Sequence, residues 1–279
     1  MKRIGTFALT LALAGTLTLP ALAEEPELLI APSPTAYSTA IFVNGQELDV
    51  SKTPVAKGIP MRLVAEADHG SANWYEEEGT GAFYLDGNVI TVTFATGAVD
   101  VNGTVLEDVS AEVVDGVTFL PADVLGGLEG YGVNLNPELD VNRIDITTPN
   151  GAPLVKLAYE IIEASDMSRG MKASADELEN YGITAANFTE VVGFFPMMTS
   201  PDTVVIGKVA EGKLDAVKAE LETYRKAQED TFSWYLAQNL PKVQDARVEV
   251  AGDYILFLIA GEADKGVELF QTGVKDLQA

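Results

Sequence analysis

Cysteine is absent, histidine occurs once, and 18 lysines and arginines face 42 aspartates and glutamates in a chain of 279 residues. Without cysteine there can be no disulfide, thiol nucleophile, thiolate metal site or lipid-anchor cysteine. With His69 alone, a histidine-based metal centre lacks its further nitrogen or sulfur ligands, and copper binding is disfavoured on the same ground. A formal net charge of −24 excludes nucleic acid and anionic lipid as partners, because both are held through clustered Lys and Arg. It also works against simple electrostatic docking on anionic wall polymers. No Gly-x-Ser-x-Gly, Ser-x-x-Lys, HExxH or phosphate-loop motif is present. So many carboxylates make some close pair inevitable, so a pair alone does not mark a glycosidase. No catalytic residue is assigned, and no resident cofactor is expected.

Residues 1–23, MKRIGTFALTLALAGTLTLPALA, have the three parts of a secretory signal. Lys2 and Arg3 give the basic start, an apolar run follows, and Ala21-Leu22-Ala23 makes a small-residue cleavage site. Gly5, Gly15 and several threonines interrupt a run already short of the roughly 20 residues a membrane span needs. The expectation is cleavage, no membrane insertion afterwards, and a secreted or wall-associated extracytoplasmic product. Residues 24–38 begin EEPELLIAPSPTAY, charged, proline-rich and without periodicity, and read as a flexible leader.

From 39 to 148 short β-branched runs are separated by Asn44-Gly45, Asp86-Gly87, Asn102-Gly103 and Asp115-Gly116. These dipeptides accept the positive φ angles of tight hairpins, so the spacing predicts a mainly antiparallel β domain. The domain is written twice. Phe42-Val43-Asn44-Gly45 recurs as Asp100-Val101-Asn102-Gly103, and PMRLVAEADHGSANW (60–74) lies over PADVLGGLEGYGVNL (121–135). His69 then falls opposite Gly130, in a turn between a short helix and a strand. The duplication explains the histidine without a ligand and predicts a solvated acidic turn. An oxygen-only calcium site among Asp68, Glu76, Glu77, Glu78 and Asp86 is chemically allowed, although no EF-hand spacing supports it.

Val43-Asn44-Gly45, Gly58, Pro60-Met61-Arg62 leading an alanine-rich helix, and Trp74 resemble the copper amine oxidase N-terminal-like domain of Gram-positive secreted proteins, which often comes in two copies. The second copy departs from that pattern, with Pro121-Ala122-Asp123 lacking the arginine and Leu135 in place of the tryptophan. The resemblance implies a non-catalytic, surface-associated module, and the family name does not imply copper.

PNGAP (149–153) reads as a linker to a domain over 154–279. There the pattern predicts helix, strand, long helix, strand, strand and helix, a small α+β layer with the long helix packed on a short antiparallel sheet. Ser174 caps a further short helix. The long helix carries Leu214, Val217, Leu221, Tyr224, Gln228, Phe232 and Tyr235 at helical spacing and is expected to stop before Pro241. Tyr181-Gly182-Ile183, Phe195-Pro196-Met197-Met198, Val204 to Lys208 and Gly252 to Phe257 resemble a bacterial exported domain family of unknown function, which lends no activity.

Two surfaces are candidates for a partner. Phe194, Phe195, Met197 and Met198 cluster around Pro196, and adaptable methionines with aromatics suit an interface, although capping the core beside the Val204 strand is the favoured reading. Trp234 falls off the long helix's buried stripe. The resulting expectation is a secreted, non-catalytic, envelope-associated binding or scaffold protein, its partner a cell-wall component or an extracytoplasmic protein. The alternatives are an extracytoplasmic hydrolase using a carboxylate pair, or a calcium-dependent ligand-binding protein.

Overall fold

The structure is a computed structural model that describes residues 37–135, 142–168, 170–197 and 199–278. Residues 1–36, which include the signal-like segment and most of the leader, lie outside these, as does Met198. The class is α+β.

The first half begins with β1 (Ala40–Val43), β2 (Gln46–Glu47) and β3 (Ile59–Pro60). Helix α1 (Met61–Ala67) follows, then β4 (Ser71–Tyr75), β5 (Thr80–Leu85) and β6 (Asn88–Thr93). The second copy supplies β7 (Ala98–Val101), β8 (Thr104–Ser110), β9 (Glu112–Val114) and β10 (Val117–Leu120). It closes with α2 (Ala122–Gly126), β11 (Gly132–Leu135) and β12 (Arg143–Thr147). All four expected turns form, each with positive φ at both residues, for example Asn44 at 51° and Gly45 at 84°. Such mirror-image turns match the twist of the paired strands.

The two copies exchange strands. One sheet runs β4-β5-β6-β7-β8 and another β11-β12-β1-β2, so each combines the late hairpin of one copy with the opening hairpin of the other. Between them β3 pairs antiparallel with β10, Ile59 lying against Leu120. Those two residues are equivalent in the repeat, so a local two-fold axis passes through that pair. Helices α1 and α2 each start behind a proline and bury one stripe, Met61, Val64 and Ala65 in the first, Val124 and Leu125 in the second. The core of this half includes Phe83, Ile90, Phe119 and Leu120. Tyr37 belongs to it as well, its hydroxyl donating to the Gly58 carbonyl at 2.6 Å. The ordered domain therefore starts inside the stretch read as leader.

The second half runs α3 (Pro153–Ala164), β13 (Met171–Ala173), α4 (Ala175–Asn180), β14 (Phe188–Phe195) and β15 (Thr203–Val209). Then come α5 (Leu214–Trp234), α6 (Leu240–Gln244), β16 (Arg247–Ala251), β17 (Tyr254–Ile259) and α7 (Ala263–Leu277). The antiparallel sheet has the order β13-β14-β15-β17-β16. Helices cover both faces: Leu154, Ile161 and Phe270 pack on one, Leu221, Tyr224 and Phe232 on the other. Ser174 and Glu177 form the reciprocal cap of α4.

Three features of this half correct or sharpen the expectations; the long helix does stop before Pro241. Strands β13 and β14 were not anticipated, because β14 is sandwiched between two helical layers and shows no polar alternation. Helix α5 ends at Trp234, where Leu236 turns left-handed (φ 53°). Pro241 then sits in the first turn of α6, where its missing N–H costs nothing. Finally, Pro149–Gly151 is a turn of 3-10 helix with Asn150 buried, a fixed joint where a linker was expected.

Candidate functional site

The residues expected at a partner surface divide. Phe194 and Phe195 are almost fully buried, which corrects their reading as contact residues. Alternation along β14 sends Phe194 into the core under α3 and Phe195 into the core under α5. Met197, just past the strand, is 70% exposed, and Trp234 is 80% exposed. The fold brings these two together in a groove of about 400 Å³, joined by Tyr181 and Tyr235. Phe195 contributes from beneath, its ring 3.6 Å from that of Tyr181 and nearly parallel. Tyr224 underlies the same groove; its hydroxyl lies 3.0 Å from that of Thr203, and burial raises its pKa. The sequence named Tyr181 only within a family-like stretch and placed Tyr235 on the long helix's buried stripe, whereas both are exposed at this groove.

The turn containing the histidine is not a solvated loop. Asp68 is completely buried and accepts hydrogen bonds from Thr148 Oγ1 at 2.5 Å, Tyr131 Oη at 3.0 Å and Asn44 Nδ2 at 3.3 Å. Its carbonyl accepts from Asn150 Nδ2 at 3.0 Å. Burial raises the Asp68 pKa, and the bonds from Thr148 and Tyr131 hold part of that rise back. The same burial, with the Asp68 charge second, pushes the Tyr131 hydroxyl upward. His69 lays its ring 3.6 Å from Tyr159 of α3, tilted by 8°, while Lys172 pairs with Asp86 and donates to Asn150 Oδ1 at 2.8 Å. These groups clamp the two halves together. Asp68 is engaged by three donors, two of them hydroxyls and one an amide. The five acids considered for calcium are not gathered: Asp68 and Asp86 are engaged at this joint, and Glu76 to Glu78 lie in the exposed β4–β5 turn. Among the described residues no three His, Cys, Asp or Glu side chains are placed to hold a metal ion.

A further groove of about 420 Å³ opens at the end of the β4–β8 sheet. It is lined by Trp74, Phe94 and Phe83, with Arg62, Lys52 and Asp49 among its polar groups. Trp74 lies opposite Gly81 across β4 and β5. Because Gly81 has no side chain, the Phe94 ring fits over it; a Cβ there would stand 2.7 Å from Phe94 Cζ. Phe94 then stacks on Trp74, centroids 4.4 Å apart. Arg62 and Trp74 were visible as motif residues, but Asp49 and Lys52, from the loop after β2, and Phe94, just past β6, reach them only in the folded chain.

These features define a duplicated β module joined to a two-sided α+β sheet. Residues 42–142 match the family model of the copper amine oxidase N-terminal domain, a non-catalytic accessory domain, and residues 163–260 match that of a domain of unknown function, DUF4358. The two resemblances drawn from the sequence hold, in that order along the chain. Neither matched family brings an enzymatic activity. No curated protein and no solved structure matches the chain.

Proposed function

We propose that the protein is exported and serves at the cell envelope as a non-catalytic binding or scaffold protein, engaging a wall component or an extracytoplasmic protein through the groove of its 154–279 half. The observation that carries this reading is the Tyr181, Met197, Trp234 and Tyr235 surface. Large apolar side chains exposed side by side around a groove are what a partner covers, and Met and Trp are favoured in such patches. The signal-like segment at 1–23 supports export, and among the described residues no helix is long and apolar enough to cross a membrane. The clamp at Asp68 supports two domains, 39–148 and 154–279, acting as one piece. The net charge favours a protein partner, or calcium bridging to an anionic one, over direct contact with an anionic polymer.

The test is co-sedimentation of residues 24–279 with purified peptidoglycan, with and without millimolar calcium, alongside retention of envelope proteins on the immobilised chain. The expected result is retention that the double variant Met197→Ala, Trp234→Ala abolishes. Failure of both assays, or retention unchanged in the variant, rejects the groove as the contact surface.

A further inference from the structure

The second groove, on the 39–148 half, has its own chemistry and does not depend on the reading just given. The repeat supplies an internal control for it. Arg62 and Trp74 lie opposite Asp123 and Leu135, and α2 and β11 form the same helix and strand without the arginine or the tryptophan. Trp74 is 59% exposed and Leu135 51% exposed, so in neither copy does that position fill the core. The fold thus explains neither Arg62 nor Trp74, and both line one cavity.

The cavity is an aromatic platform with a mixed polar rim. Trp74 and Phe94 stack, and Phe94 is fixed by the space over Gly81 and by its N–H donating to the Gly79 carbonyl at 3.0 Å. Around them stand the donors Arg62 and Lys52, the acceptor Asp49, and Thr118, which can do either. Hydrogen bonds from Ser51 hold Asp49 below the usual carboxylate range, so it is a charged acceptor at neutral pH. Arg62 is partly balanced by Glu66 at 3.7 Å. An anionic ligand would meet Asp49 and Glu66 within a strongly acidic protein, and a cationic one would meet Arg62 and Lys52. Sugar rings suit this arrangement, since they present apolar C–H faces for stacking and hydroxyls that both donate and accept.

We infer that the Trp74 groove binds an uncharged saccharide, one ring stacked on the Trp74–Phe94 platform and its hydroxyls shared between Arg62, Asp49 and Thr118. The cavity lies within the range of about 300–1,000 Å³ typical of small-ligand sites and has room for roughly one or two rings.

The test uses residues 24–279 carrying Trp234→Phe, which leaves Trp74 as the only tryptophan. Its emission is titrated with a neutral N-acetylglucosamine tetramer and, separately, with a hexuronic acid tetramer. The expected result is a saturable change with the neutral sugar only. Phe94→Ala should weaken it by about tenfold or more, and Arg62→Gln, on an exposed side chain remote from the core, by about threefold to tenfold. The inference is overturned by no response to the neutral tetramer, by equal response to both sugars, or by undiminished affinity in both variants. Because the Trp234 groove is tested with different variants, either proposal can fail alone.

Discussion

In the first copy of the repeat the turn between helix and strand is made by Asp68 and His69; in the second it is made by Glu129 and Gly130. Both turns need a left-handed residue, His69 with φ 60° and Gly130 with φ 76°. Glycine adopts that conformation freely, whereas a side chain there costs about 1 kcal/mol. The second copy therefore shows the unstrained solution, and the first tolerates a strained one because its side chains have other partners. Asp68 is buried and His69 lies on Tyr159, while Glu129 is exposed. What the copies share builds the fold; what they do not share, at 62, 68, 69 and 74, builds the joint and the Trp74 groove.

The largest way to break this comparison is to remove Asp68. Asp68→Ala leaves the Thr148 and Tyr131 hydroxyls without their acceptor in a buried site, at a cost of about 3 kcal/mol or more. Glu129→Ala, at the equivalent position, should change stability by less than about 0.5 kcal/mol. Urea unfolding midpoints compare the two, and similar losses would mean that the joint is not specific to the first copy. The pH dependence has a definite sign. Burial raises the folded pKa of Asp68, so the folded state holds this proton more tightly than the unfolded one. The contribution is fully present below the unfolded pKa and is lost as pH rises through the folded value. From about pH 4 upward the wild type should therefore lose stability relative to Asp68→Asn; a parallel pair of pH profiles would contradict the raised pKa.

Next in size is Gly130→Ala. It imposes the left-handed cost and sets a Cβ 2.9 Å from Pro149 Cγ, a total of about 1–3 kcal/mol. The matching change on the other side is smaller and has an internal reference. His69→Ala keeps the backbone strain and loses the ring stack, whereas His69→Gly loses the stack and relieves the strain. The glycine variant should therefore be the more stable by about 1 kcal/mol in thermal or urea unfolding. The reverse order would show that the His69 turn opens to a right-handed conformation once the ring is gone.

Reading such features ahead of the structure works where the cause is local. Asn-Gly and Asp-Gly pairs announce their own φ angles, so all four hairpins were visible, as was the Ser174 cap. The role of Asp68 was not, because Thr148 is 80 residues away and Tyr131 is 63; the sequence alone shows one more acidic residue among many. The same holds for Phe194 and Phe195. Their burial follows from helices on both faces of β14, and nothing in GFFPMM indicates two-sided cover. Arg62 and Trp74 were conspicuous singly, but their shared cavity depends on Gly81 and Phe94, which meet them only across paired strands.

The smallest expected effect concerns the other groove. Trp234 is the last residue of α5 and 80% exposed, so Trp234→Ala removes little buried area and should shift stability by less than about 0.5 kcal/mol. Phe232, two residues earlier, points into the core of the same helix, and Phe232→Ala should cost about 3–5 kcal/mol. Thermal unfolding of the two variants measures which face of the helix the fold uses. A large loss for Trp234→Ala would mean that its ring is covered in solution, by this chain or by a second copy, and sedimentation at increasing protein concentration would separate those two cases. A negligible loss leaves the tryptophan free to meet a partner, and retention on peptidoglycan or on an envelope protein can then be assigned to that side chain without a change in folding as the cause.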